Sequence, residues 1–245
     1  MIKNNLNSRF FVVIHAQHRI NDDYALAHAI ASAKTAHDNN VSGIFLIPDY
    51  ENESNGYSKR ATMEDLFFYY SEIKNLFPDF PVGVNFLKKI ENMDLSVVER
   101  VKKENFNMIQ SDGSFANVLS FKQMTETEFF TGLAFKYSKY ESATGEDLKR
   151  LCGDIPAELN VIPTTSGSAT GVSANLEKIK EIRGYLPSDK RLGIASGITL
   201  DNVSSFLEAG VTDFLVATSL IKENKNGCDI LDGVKIEELA KKILK

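Results

Sequence analysis

Residues 192–217 read LGIASGITLDNVSSFLEAGVTDFLVA, a stretch in which two short apolar runs flank a helical segment. The runs, Leu192–Ala195 and Phe214–Ala217, are apolar on both faces, as are strands of a parallel sheet covered by helices. Between them, Thr199 begins a segment that stops at Gly210, a common helix terminator. The stretch therefore predicts a unit of strand, helix and strand.

The same alternation of apolar run and helical segment repeats along the chain. Eight strands are predicted, at Phe10–His15, Gly43–Pro48, Val82–Phe86, Asn107–Gln110, Phe130–Phe135, Val161–Thr165, Leu192–Ala195 and Phe214–Ala217. Helices are predicted at Asp22–Asn39, Met63–Leu76, Leu95–Lys103, Gly145–Cys152, Asn175–Leu186, Thr199–Ala209 and Val234–Leu244. Eight units in 245 residues give about 31 residues each, the period of a (β/α)8 TIM barrel. We therefore predict an α/β protein with a single barrel domain over residues 1–245.

The competing architecture is a doubly wound open sheet. That fold requires a glycine-rich phosphate turn after the first strand. Here the first strand is followed, without a glycine, by Ala16, Gln17, His18 and Arg19. The longest irregular pieces are predicted at Glu51–Thr62 and Lys222–Gly233, and neither marks a domain boundary.

The composition is that of an ordinary soluble globular protein, with 43% hydrophobic and 25% charged residues. The formal net charge is −5 and the basic residues are spread out, so we expect no nucleic acid as a partner. The apolar runs are far shorter than a membrane span, and residues 1–9 show no signal peptide, which predicts a cytoplasmic protein. Cys152 and Cys228 accordingly predict free thiols.

Small and hydroxylated residues follow the last three predicted strands, in Thr164–Gly171, Ser196–Thr199 and Ala217–Ser219. Glycines let the backbone approach an anion, and backbone N–H groups converge in such loops. The loops after strands 7 and 8 are the commonest phosphate site of a barrel. The predicted phosphate site comprises Gly167, Thr170, Gly171, Ser196, Gly197, Ala217 and Thr218. The alternative is that these are ordinary tight turns.

Within these loops the chain reads TSGSATG at residues 165–171, IASGITLDN at 194–202 and VATSL at 216–220. These segments resemble T-G-x-x-T-G, G-S-G-V-T-x-x-N and V-G-T-S motifs of the BtpA family, one of the ribulose-phosphate-binding barrels. The resemblance is good over roughly the last third of the chain and weaker at Gly83–Leu87 and Phe135–Tyr137. This chain has Ala195 and Ala217 where the family has glycine, and Tyr137 where it has histidine. The resemblance therefore implies a phosphate-binding barrel and leaves the substrate open.

Polar side chains at other strand ends are candidates for catalysis. Lys136 follows a largely apolar strand, where burial would lower its pKa and permit general-base or Schiff-base chemistry. Alternatively, it reaches solvent and pairs with a carboxylate. His15 is a candidate general base or a hydrogen-bonded structural group. Asp49 predicts either an acid–base role or a loop cap.

Asn85, Gln110 and Thr165 lie at further strand ends and are predicted to contact the substrate. Asp112 lies in a Ser-Asp-Gly turn sequence, for which a plain turn is the preferred interpretation. Nitrogen and oxygen donors that would suit a divalent cation occur at His15, His18, Asp49 and Asp112. No metal-binding motif accompanies them, so we predict neither a metal nor a cofactor.

The sequence leaves two functional hypotheses open. The first is an enzyme acting on a phosphorylated sugar or phosphoribosyl compound, of isomerase, lyase or transferase type. The second, which the BtpA-like resemblance implies, is a non-catalytic binding or assembly factor. Phosphoribosylanthranilate isomerase is a specific candidate because residues 109–113 vaguely resemble its fourth-strand motif. Its expected cysteine at the end of strand 1 is absent from residues 14–17, IHAQ, which argues against that assignment. A homodimer is one assembly open to the fold.

Overall fold

Eight parallel strands form a closed barrel in the computed structural model, which describes residues 6–18, 23–48, 61–87, 95–113, 121, 124–157, 160–225 and 227–245. Each strand pairs with the next along the chain, and the eighth pairs with the first. The strands are β1 (Arg9–Ala16), β2 (Gly43–Pro48), β3 (Val82–Asn85), β4 (Met108–Ser111), β5 (Glu128–Gly132), β6 (Val161–Ser166), β7 (Gly193–Ala195) and β8 (Asp213–Val216). The predicted (β/α)8 barrel is confirmed.

Helices follow most of the strands and cover the outside of the barrel. They are α1 (Asp23–Asp38), α2 (Met63–Leu76), α3 (Leu95–Glu104), α4 (Gly145–Gly153), α5 (Leu176–Tyr185), α6 (Val203–Glu208) and α7 (Gly233–Ile243). Their apolar side chains and the outward-facing strand residues form one continuous core. The start of α2 is set by a capping box, in which the Asp65 amide donates to Thr62 Oγ1 and the Thr62 amide donates to the Asp65 carboxylate. Within the described ranges, no helix is long and apolar enough to cross a membrane.

The inside of the barrel is filled by a second cluster of side chains. Phe11, Phe45 and Phe130 meet edge to face, with ring centroids 5.0 to 5.6 Å apart. Gly83 makes room for this cluster, because a Cβ there would lie 2.4 Å from the Phe45 ring. The barrel interior is therefore a packed core, not a pore.

Charged residues hold the strands together at the N-terminal end of the barrel. Arg9 donates to Glu128 at 2.8 Å and to Asp213 at 2.6 Å, and Arg191 donates to the second Asp213 oxygen at 2.8 Å. Burial disfavours the charge of Arg9, but Asp213 and Glu128 outweigh it and raise the Arg9 pKa. Since the Asp213 side chain has no exposed surface, these two arginines are the partners that a buried carboxylate requires.

The fifth strand occupies a different stretch from the one predicted. Phe130–Phe135 was the expectation, whereas β5 spans Glu128–Gly132. The chain leaves the extended region at Ala134, where φ is +46°. The apolar run continues beyond the strand because Phe135 packs into the inner cluster of the barrel. Hydrophobicity there marks burial, not strand structure.

The sequence pattern predicted an irregular segment at Lys222–Gly233, and this prediction was wrong. The segment contains an antiparallel hairpin of β9 (Ile221–Lys225) and β10 (Cys228–Leu231), which packs against β1 and α1. The strands were missed because β9 reads IKENK and is mostly exposed, so it lacks an apolar run.

Candidate functional site

A cavity of about 220 Å³ opens at the C-terminal end of the barrel. It lies where barrel proteins carry their active sites, above the packed aromatic cluster. The structure brings together there ten of the residues singled out from the sequence: His15, Asn85, Gln110, Lys136, Thr170, Gly171, Ser196, Gly197, Ala217 and Thr218.

Three further candidates are not brought to this cavity. Thr165 is completely buried and shares the outward face of β6 with Val161, because side chains alternate along a strand. Gly167 allows a close approach within its own loop, since a Cβ there would lie 1.9 Å from the Val172 carbonyl oxygen. Asp49 lies outside the described residues.

The backbone around Lys136 is held in an unusual conformation. Ala134 and Tyr137 have φ of +46° and +61°, a region that residues other than glycine rarely adopt. Two contacts stabilise this course of the chain. The Lys136 amide donates to Ser166 Oγ at 2.8 Å, and Lys178 Nζ donates to the Ala134 carbonyl oxygen. Strain of this kind concentrates at functional sites, where it aims a side chain.

The Lys136 side chain is buried against the phosphate loops. The residue is 7% exposed, and its Nζ donates to Thr170 Oγ1 at 3.1 Å and to Ser196 Oγ at 3.0 Å. Burial lowers the pKa of Lys136, and the negative charge of Asp112 opposes this effect. The alternative considered from the sequence, a Lys136 side chain that extends into solvent, is therefore wrong. The ammonium group sits inside the cavity wall.

Asp112 is a cavity residue that the sequence interpretation assigned to a plain turn. Its Oδ1 accepts from Asn85 Nδ2 at 3.2 Å. Burial raises the pKa of Asp112, while the Asn85 hydrogen bond and the Lys136 charge lower it in part. Gly132 permits this position, because a Cβ there would lie 2.3 Å from the Asp112 carbonyl oxygen. The sequence feature that could have identified Asp112 as a site residue is its position directly after β4, at the end of the barrel where catalytic residues lie.

The loop after β7 is pressed closely onto the loop after β6. Ser196 and Gly197 have φ of +81° and +66°. A Cβ at Gly197 would lie 2.3 Å from the Ser173 amide nitrogen and from the Val172 carbonyl carbon. Asn202 fastens the loop, with Nδ2 donating to the Gly197 carbonyl oxygen at 2.7 Å. Position 197 therefore requires a glycine, both because its φ is positive and because a Cβ would clash with the neighbouring loop.

Asn202 also explains why α6 is shorter than predicted. The Asn202 Oδ1 accepts a hydrogen bond from the Thr199 amide at 2.8 Å, so residues 199–202 form a turn and α6 begins at Val203. The expected helix Thr199–Ala209 was wrong in its first four residues and in Ala209, which is the C-cap of the observed helix.

The third loop presents a short 3-10 helix, Thr218–Leu220, directly after β8. Thr218 is exposed and lines the cavity, as does Ser219. Ser219 Oγ is buried and has no hydrogen-bond partner among the residues that the structure describes. A buried hydroxyl without a partner is costly, which is consistent with a ligand that completes it. Ser219 ends the loop Ala217–Ser219, one of the three loops predicted from the sequence to hold a phosphate.

His15 reaches the cavity from the opposite wall. β1 and β5 lie across the barrel from one another in the closed strand order, so His15 faces the side that carries Lys136. His15 Nδ1 lies 2.7 Å from Asp229 Oδ2. Asp229 belongs to the unpredicted hairpin and is not among the site residues predicted from the sequence.

His18 has a structural role, since its Nδ1 lies 2.7 Å from Asp65 Oδ2 in the α2 capping box. Within the described part of the chain, no group of three or more His, Cys, Asp or Glu side chains could hold a metal ion.

No family model and no curated protein matches the sequence. Several solved structures match in fold. Phosphoribosyl anthranilate isomerase from Thermus thermophilus matches with a TM-score of 0.61 and 13% identity, covering 94% of this chain and 96% of that chain. KGPDC from Streptococcus mutans gives 0.61 and 14%, covering 97% of each chain. A chain from the tryptophan synthase α2β2 complex of Pyrococcus furiosus gives 0.65 and 13%, covering 96% and 99%. At these identities the likeness shows the TIM-barrel fold.

Proposed function

We propose that this chain is an enzyme acting on a phosphorylated sugar or phosphoribosyl compound, whose phosphate is bound by the loops after β6, β7 and β8. The observation that carries the proposal is the buried Lys136 ammonium group between the hydroxyls of Thr170 and Ser196, in a cavity lined by glycine-containing loops. The resemblance of these loops to the BtpA family supports it, as do the barrel neighbours, one of them a phosphoribosyl anthranilate isomerase.

The proposed phosphate position explains features that the fold alone does not require. A phosphate needs cationic and N–H donors that converge on one point. Thr170, Ser196 and Ser219 supply hydroxyls, and the nearby Lys136 ammonium group, which donates to two of them, makes the potential of this region favourable to an anion. Gly171 has φ of +76°, and no atom lies within 4 Å of its missing Cβ, which leaves its backbone open to an anion.

The remaining cavity residues support acid–base chemistry on the rest of the substrate. Lys136, whose pKa is lowered by burial, gives up a proton more readily than an exposed lysine. Asp112, whose pKa is raised by burial, holds one more firmly than an exposed carboxyl group. Such a pair suits proton transfer to and from a substrate, and a lysine of lowered pKa also suits Schiff-base formation with a carbonyl. We assign Asn85 and Gln110 to substrate contact.

The first experiment tests phosphate recognition. Melting temperatures are measured with inorganic phosphate, a panel of phosphosugars and the matching unphosphorylated sugars at millimolar concentration. Phosphorylated ligands should stabilise the protein, and Ser196→Ala should weaken their binding about tenfold, the effect of losing one hydrogen bond to a charged group. Thr35→Val, which removes an exposed hydroxyl on α1, is the control. A panel without any phosphate-dependent shift would count decisively against the proposal.

The second experiment tests turnover. Each bound phosphosugar is incubated in heavy water, and solvent deuterium incorporation and product formation are followed by NMR. Borohydride is added in parallel, and peptides are mapped for a covalent adduct at Lys136, with the half-buried Lys178 as the internal reference. Exchange or conversion that is lost in Lys136→Met supports an enzyme. Tight binding with neither exchange nor conversion of any bound ligand would favour the alternative, a non-catalytic binding or assembly factor.

A further inference from the structure

The carboxylate of Asp229 is bound through both of its oxygens. Oδ2 lies 2.7 Å from His15 Nδ1, and Oδ1 accepts from Asn224 Nδ2 at 2.9 Å. Groups from β1 and β9 thus converge on one side chain of β10, a strand that also packs against α1. A side chain held through both of its oxygens has little freedom to move relative to the barrel.

The protonation state of Asp229 fixes the arrangement of hydrogens. Burial opposes its charge, but the hydrogen bonds from His15 and Asn224 outweigh burial and lower the Asp229 pKa. An ionised carboxylate accepts and cannot donate. His15 must therefore carry a hydrogen on Nδ1, which makes Nε2 the basic nitrogen of the neutral imidazole.

The charged surroundings of His15 come from several elements. Asp229 approaches from β10 and His28 from α1, where burial lowers the pKa of His28. Across the cavity stand Asp112 after β4 and Lys136 after β5. Asp229 lies in hydrogen-bond contact with the imidazole.

We propose that Asp229 is a positioning residue, which fixes His15 with Nε2 as its proton-accepting atom at the cavity wall opposite Lys136. This inference rests on the function proposed above and deepens it. In the step that it implies, a substrate proton moves to His15 Nε2 and leaves its electron pair on the substrate. The ionised Asp229 stabilises the resulting imidazolium without taking the proton, and the reverse transfer restores the neutral ring.

Asn224 makes the proposal testable without a substrate. Its Nδ2 already donates to one oxygen of Asp229, so in Asp229→Asn the new amide oxygen will face Asn224. The new amide N–H2 then faces His15 and donates to Nδ1, which reverses the tautomer. In the double variant Asn224→Asp, Asp229→Asn the new carboxylate attracts the N–H2 instead. The amide oxygen then accepts from Nδ1–H, and the original tautomer returns.

Long-range 1H–15N spectra of the neutral protein report the tautomer directly, and His15→Gln assigns the signal among the four histidines. We expect Nδ1–H in the wild type, loss of that state in Asp229→Asn, and its recovery in the double variant. An Nε2–H tautomer in the wild type would overturn the assignment, as would an unchanged spectrum in Asp229→Asn.

Kinetics then test the role, with the phosphosugar that the turnover experiment identifies. Asp229→Asn should lower kcat about 100-fold, the ordinary size of a general acid–base contribution, with KM changed less than about threefold. Adding His15→Gln should cost little more, because the two residues act as one unit. The double variant with Asn224→Asp should recover at least about tenfold in kcat.

The control is Asp232→Asn, at the N-cap of α7, which should retain full activity because asparagine caps as well as aspartate. If kcat is unchanged in Asp229→Asn, the positioning role is wrong although the proposed function stands. If no phosphosugar binds or reacts, the proposed function fails, whatever tautomer the spectra show.

Discussion

Two glycines of the proposed phosphate loops allow the loop geometry to be tested by alanine substitution. Gly171 and Gly197 both have positive φ, +76° and +66°. They differ in their surroundings, since nothing lies within 4 Å of a Cβ built on Gly171. A Cβ on Gly197 would lie 2.3 Å from the neighbouring loop backbone. Comparing Gly197→Ala with Gly171→Ala therefore separates the contact between loops from the cost of the backbone conformation.

The expected magnitudes follow from these two contributions. The left-handed conformation costs an alanine about 1–2 kcal/mol, offset by about 0.4–1 kcal/mol because the unfolded chain loses entropy. Gly171→Ala should therefore destabilise by about 1 kcal/mol. Gly197→Ala carries the same cost and also forces the loops apart by about 1 Å, an overpacking cost of about 1–3 kcal/mol, so that the total is about 3 kcal/mol.

Thermal unfolding followed by circular dichroism measures the difference. At about 2–4 °C per kcal/mol, Tm should fall by about 2–4 °C in Gly171→Ala and by about 6–12 °C in Gly197→Ala. Phosphate titration of Gly171→Ala, the better folded variant, should give a Kd raised about tenfold, because its Cβ enters the proposed anion space. Equal Tm values for the two variants would refute the close approach of the loops.

Three further predictions concern other parts of the chain. Arg9→Met should lower Tm by about 6–12 °C in thermal melts, because breaking a buried charge network around Asp213 costs about 3 kcal/mol; Lys34→Met, which removes an exposed ion pair, should leave Tm almost unchanged. Burial raises the pKa of Asp112 above its ordinary 3.8, so ionising Asp112 destabilises the folded protein. This cost is absent below pH 3.8, where the carboxyl group is protonated in the folded and the unfolded chain. Urea titrations should therefore show Asp112→Asn gaining stability over the wild type as pH rises from about 4 to 8, and a constant difference would contradict this. Burial raises the pKa of Cys152 to about 11, so iodoacetamide at pH 8 should label this thiol only after unfolding, as read by mass spectrometry.

The barrel could be predicted from the sequence because its signal is repeated. Strands buried on both faces read as apolar runs, and helices such as Met63–Leu76 show periodic apolar positions, so the bounds of α2 were predicted correctly. The hairpin β9–β10 has no such signal. Its first strand is polar and exposed, and its place is set by packing against β1 and α1.

The site was harder to predict than the fold because the pattern locates strand ends but not side-chain directions. Thr165 lies near the end of β6, close in sequence to the loop that lines the cavity. The alternation of side chains along β6 nevertheless directs the Thr165 side chain to the outside of the barrel. Asp112 resembles a turn residue, and only the three-dimensional fold brings it to Asn85 and near Lys136. Asp229 follows His15 by more than two hundred residues, so no local pattern joins them.

The central claim is that the loops after β6, β7 and β8 bind the phosphate of a substrate. A crystal structure of the protein with a bound phosphosugar tests it most directly. We predict the phosphate within about 3 Å of Ser196 Oγ, the Gly197 amide and Thr218. A phosphosugar bound elsewhere, or a phosphate that points away from these loops, would contradict the account.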